Sequence, residues 1–93
     1  MAKFEIGKIF ITRGVDTMAT HNSIFADFVN KSFKKHCNGD WGDLNQEDQQ
    51  TNEKALLNGD TLLSKYNFDN NTSIYIITEW DRSSTTILFP NEY

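Results

Sequence analysis

Ninety-three residues, 38% hydrophobic, 24% charged and 13% aromatic, give room for one folded unit with one modest core, so a single domain over residues 1–93 is expected. A formal net charge of −4 and a pI of about 4.9 argue against a phosphate-binding protein, whose footprint is a basic face. No apolar run approaches the roughly 18 residues of a membrane span. Residues Met1 to Ile6 show no signal-peptide stretch, and the one cysteine, Cys37, excludes an internal disulfide and a cysteine-built zinc site. The sequence therefore predicts a cytoplasmic protein with no membrane partner.

No internal repeat or low-complexity linker divides the chain. Lys3 to Thr12 alternates imperfectly, and its β-branched and aromatic content predicts a strand ended by Arg13-Gly14. Asp16 to Thr20 adds at most a short turn. From Ser23 to Cys37 the period becomes helical: Ile24, Phe25, Phe28, Val29 and Phe33 form one apolar stripe. Asn22 or Ser23 can cap this helix, Lys34, Lys35 and His36 complement its dipole in the last turn, and Gly39 follows its end. Asn38 to Asp43 reads as a loop. A second helix begins after Asn45, with Asp48 three residues on as a capping pair and Glu47 and Asp48 in the first turn; Gly59 stops it.

The last third predicts β structure. Leu62 to Tyr66 is a short strand, Asp69-Asn70-Asn71 a turn, and Ser73 to Trp80 a central strand, apolar on both faces. Asp81 to Ser84 is a hairpin connection, Thr85 to Phe89 the returning strand, and Pro90 its stop. The predicted fold is α+β with order β-α-α-β-β(-β), an antiparallel sheet carrying two helices on one face.

Few residues suggest chemistry. His36 and Cys37 are helix neighbours, so their side chains diverge by about 100° and share a proton poorly. His21, His36, Asp40 and Asp43 lack any metal-ligand spacing; Asp40 and Asp43 read as turn and cap residues. Glu79 and Asp81, two apart on one strand face, could hold a divalent ion, although Arg82 beside them more simply pairs with one. Gly39-x-x-Gly42 is a turn and not a phosphate loop.

Two readings stay open for Trp41, which stands between Gly39-Asp40 and Gly42-Asp43. The indole either plugs one end of the core or forms an exposed aromatic anchor ringed by carboxylates. Charge segregates around it. Residues 40 to 60 hold six acids (Asp40, Asp43, Glu47, Asp48, Glu53, Asp60) against one base, Lys54, a local net of −5, whereas Lys31, Lys34 and Lys35 make the preceding helix basic. Such an acidic face either is a solvated surface or occupies a groove built for nucleic acid, where carboxylates stand in for phosphates.

Three stretches carry a resemblance. They are Thr12-Arg13-Gly14-Val15; Lys35 to Leu44 with Glu47-Asp48 and Asn52-Glu53-x-Ala55-Leu56; and Ile76 to Tyr93, containing Thr78-Glu79-x-Asp81-Arg82-Ser83. With its His-x-x-Gly-Asp-Trp-Gly-Asp motif, the chain resembles a family of small proteins carried by bacterial plasmids, phages and integrative elements. Lys35 stands where that family usually has arginine. The resemblance implies a role against host defence, as in anti-CRISPR proteins: a non-enzymatic inhibitor whose partner is a CRISPR effector or restriction complex, with no cofactor and no direct nucleic-acid contact. The expected contact residues are Asp40, Trp41, Asp43, Glu47 and Asp48, joined by Glu79, Asp81 and Arg82. The alternatives are a small metal-dependent hydrolase using Glu79 and Asp81, and a module that dimerises through an open sheet edge.

Overall fold

The computed structural model describes residues 2–93. Its elements are β1 (Lys8–Ile11), α1 (Arg13–His21), α2 (Ser23–Cys37), α3 (Gln46–Asn58), β2 (Leu62–Asn67), β3 (Ser73–Thr78) and β4 (Ser84–Leu88), followed by a 3-10 turn, Pro90–Glu92. The fold is α+β. The sheet order is β1-β4-β3-β2, and the sheet is mixed where an antiparallel one was expected: β2–β3 and β3–β4 are antiparallel, but β1 runs parallel to β4. The meander β2–β3–β4 leaves two edges, and helix α3 lies along that of β2, so β1 can join only at β4.

The helices among the described residues number three, not two. Asp16 to Thr20, expected as a turn, is the body of α1. The Thr12 side chain accepts the Val15 N–H at 3.4 Å, and Asp16 stands in the first turn. Helix α2 has the bounds its apolar stripe predicts, and Asn22 Oδ1 accepts the Phe25 N–H at 3.1 Å. Helix α3 starts as expected, with Asn45 Oδ1 accepting the Asp48 N–H at 2.8 Å, and stops at Gly59 in the left-handed conformation, φ 73°.

Val15 of α1 and Phe25 and Val29 of α2 pack on Tyr66, Ile74, Ile76 and Ile87 of the sheet. A second cluster joins Trp41, Ala55 and Leu62 with Phe4, Leu44 and Leu56. The first strand is shorter than expected because residues 3–7 cross the end of α2 instead. There the Lys3 N–H donates to Cys37 O (2.8 Å), and Phe4 stacks on Trp41 and meets His36 edge-on. Strand β3 likewise stops at Thr78, short of the predicted Trp80.

His36, expected to complement a helix dipole, is instead fully buried between α2 and the sheet. Its Nδ1 lies 2.6 Å from Ser64 Oγ on β2 and its Nε2 2.8 Å from Thr78 Oγ1 on β3. Thr78 Oγ1 is 2.7 Å from Thr85 Oγ1 on β4, and Thr85 donates to Ile6 O at 2.8 Å. Each hydroxyl has one proton, so the chain has one polarity. Thr85 spends its proton on Ile6 O, so Thr78 donates to Thr85. Nε2–H must then donate to Thr78, and bare Nδ1 accepts from Ser64. A neutral Nε2–H imidazole satisfies every member. A second ring proton would leave Ser64 with nothing to donate to.

Burial, reinforced by the nearby Arg82 charge, pushes the His36 pKa down to about 4 from 6.5. The folded value lies below the unfolded one, so this contribution is complete above pH 6.5. It declines as pH falls, because the unfolded chain takes up a proton that the folded chain refuses. Stability should drop by up to about 3 kcal/mol between pH 6.5 and about 4. Urea unfolding across this range checks it: His36→Gln, less stable at neutral pH, should lose most of that slope.

Candidate partner-binding surface

The loop between α2 and α3 is bonded along the outer edge of β2. The Lys65 N–H donates to Trp41 O (3.3 Å), the Asp43 N–H donates to Lys65 O (2.7 Å), and the Asn67 N–H donates to Asp43 Oδ2 (2.8 Å). Two residues earlier on β2, Asn52 of α3 acts as a strand in miniature: its Nδ2 donates to Leu63 O (2.6 Å) and its Oδ1 accepts from the Leu63 N–H (3.2 Å). These bonds take up the edge-facing amides of Leu63, Lys65 and Asn67, closing the edge to foreign strands. Gly42 makes the contact sterically possible. Its φ is 76°, and a Cβ there would stand 2.1 Å from Lys65 O.

This arrangement corrects the anchor role proposed for Trp41. The indole is 3% exposed, packed between Phe4, His36, Ala55 and Leu62, and its Nε1–H donates to Glu53 Oε2 at 2.6 Å. A partner cannot reach it. The His-x-x-Gly-Asp-Trp-Gly-Asp motif is therefore scaffold: His36 joins α2 to the sheet, Trp41 plugs the core, and Asp40 Oδ1 accepts the Gly42 N–H at 3.1 Å.

The carboxylates remain outside. Asp40, Asp43, Glu47, Asp48, Glu53 and Asp60 are all exposed. Asp40, Asp43 and Glu53 each engage one oxygen inside the protein, whereas Glu47 and Asp48 extend from the first turn of α3 into solvent. Among the described residues the one ion pair is Lys31–Asp27, at 2.9 Å along α2. The lysines thus leave the acidic stretch unneutralised.

The β3–β4 hairpin tip changes two further expectations. Glu79 and Asp81 do not share a strand face, because the ladder ends at Thr78; Asp81 instead accepts the Ser83 N–H (3.0 Å), and hydrogen bonds from the Ser83 hydroxyl and backbone hold its carboxyl below the usual value. Arg82 pairs with neither acid. Its backbone takes φ 60°, and its guanidinium donates to Asp60 O (2.7 Å), Glu79 O (3.0 Å) and, at 3.5 Å each, Trp80 O and Ala55 O. These bonds fasten the C-terminal end of α3 to the tip and occupy the charge intended for a partner. Between the two acids, Trp80 stands 64% exposed, and Leu57 on the adjoining helix end is 87% exposed. Neither is among the contact residues expected from the sequence. Trp80 was expected to close the central strand; because that strand stops at Thr78, the residue stands in a turn, where neither sheet face can cover it.

Burial raises the Cys37 thiol above its usual pKa, and both ring nitrogens of His36 bond elsewhere, so the two do not form a nucleophile–base pair. Among the described residues no three His, Cys, Asp or Glu side chains are grouped to hold a metal, and no helix is long and apolar enough to cross a membrane. No family model matches the chain, and neither a curated protein nor a solved structure matches it.

The two tryptophans should be distinguishable in solution. In Trp41→Phe the remaining emission should be red-shifted and readily quenched by acrylamide; in Trp80→Phe it should be blue-shifted and shielded. Steady-state fluorescence with Stern–Volmer analysis checks both.

Proposed function

We propose that this chain is a non-enzymatic counter-defence inhibitor of the anti-CRISPR kind, which binds a nucleic-acid-processing effector of the host. The observation that carries the reading is the exposed acidic stretch, whose carboxylates have no lysine or arginine partner among the described residues. Free carboxylates on a small rigid body present charge much as phosphates do. They can engage the arginines and lysines that line a nucleic-acid channel. The resemblance of the motif stretches to proteins of mobile elements supports the same role.

In this reading Glu47, Asp48 and the outward oxygens of Asp40 and Asp43 supply the charge, and Trp80, flanked by Glu79 and Asp81, supplies the apolar anchor that Trp41 cannot. Tryptophan in a rigid setting is the commonest kind of interface hot spot. Here Arg82 provides the rigidity and makes no contact of its own. Steering between opposite charges makes association fast at low salt and slower as salt rises.

Cleavage assays on a panel of purified CRISPR effectors and restriction complexes test the proposal. Inhibition of at least one should saturate near equimolar protein and weaken with salt. Potency should fall about tenfold or more in Glu47→Lys/Asp48→Lys and in Trp80→Ala, and hold in Trp41→Phe. A panel left fully active contradicts the proposal, as does a charge-reversed double variant as potent as the parent.

A further inference from the structure

The two edges of the sheet are treated in opposite ways. At β2, the outward amides are taken up by the loop and by Asn52. At β1, no described element pairs with the outer side. The Lys8 N–H donates to Ser83 O and the Thr12 N–H to Ile87 O, both at 3.0 Å. In a parallel ladder bonded this way, the alternating residues Ile9 and Ile11 turn their N–H and C=O groups outward. Their side chains and that of Phe10 are 51%, 47% and 52% exposed. The usual guards of an edge strand are missing: the strand has no proline, and Lys8, its one charge, stands at its end and not its centre.

We propose that β1 pairs antiparallel with β1 of a second copy, joining two sheets into one of eight strands. The bonding pattern of the outward side of β1 is self-complementary, as a twofold interface requires. With the axis through Phe10, Ile9 of each copy faces Ile11 of the other, and their outward groups form four N–H···O=C bonds. Phe10 then meets Phe10 of the second copy as a close, non-hydrogen-bonded pair, the geometry in which aromatic cross-strand pairs interact most. Lys8 faces Thr12, so no like charges oppose each other directly. Register also favours this face. Phe10 lies level with Thr86, Ile77 and Leu63 on the side of the sheet away from α1 and α2, and pairing makes that row continuous through both copies.

The available area sets the strength. The three half-exposed side chains offer roughly 200 Å² of apolar surface per chain. That is well below the roughly 800 Å² per partner of a standard interface. The dimer is therefore weak, and it is separate from the acidic loop, which is bonded along β2 at the opposite edge of the sheet.

Sedimentation equilibrium from about 10 μM to about 1 mM, with amide NMR shifts over the same range, tests this. The mean mass should rise towards twice that of the monomer, with shifts concentrated at Ile9 to Ile11. Phe10→Lys, and Ile9→Pro, which removes an N–H not used by β4, should stay monomeric throughout. A monomer at every concentration overturns the proposal, as does a dimer that persists in folded Phe10→Lys or shifts that map elsewhere. Should either variant fail to fold, the wild-type amide shifts decide.

Discussion

A single neutral imidazole holds the layers of this protein in register. His36 reaches from α2 to β2 through Ser64 and to β3 through Thr78, and the chain of hydroxyls continues to β4 and the N-terminal segment at Ile6. Its four side chains are buried and every proton has one destination, so the network specifies one arrangement of helix against sheet. Removing one member would leave a buried donor or acceptor unpaired, at a cost of about 1–3 kcal/mol. Because His36 stands one residue before the end of α2, anchoring it also places the start of the loop to α3 beside the β2 edge.

From that starting point the loop has little freedom. Gly42 passes against Lys65, Asp43 and Trp41 bond to the strand, and the indole closes the second core cluster over Leu62. The motif that looks most like a site is in this way the framework that seals one sheet edge. What it leaves exposed are carboxylates without cationic partners among the described residues, a tryptophan beside Arg82, and an unsealed edge at β1. Charge and exposed apolar surface lie where the framework is not.

Much of this was legible in the sequence. The bounds of α2 followed from its five-residue apolar stripe, and both ends of α3 followed from Asn45 and Gly59, because caps and helical periodicity are local signals. Helix α1 was hidden by Gly14, Thr17 and Thr20, weak helix formers that its N-cap and its packing through Val15 overcome. The parallel pairing of β1 was not legible, since it depends on which edge the remote α3 leaves open. The same holds for His36, whose partners lie 28 and 42 residues away. Trp41 and Trp80 are both flanked by acids, and only distant Phe4 and Glu53 decide which is covered.

The most direct test of this framework is the protonation state of His36 itself, read from imidazole nitrogen-15 and proton NMR across pH. The ring should be neutral, with the proton on Nε2, and should resist protonation until pH approaches about 4. A proton on Nδ1, or a ring that titrates near the ordinary value of 6.5 while the protein stays folded, would contradict it.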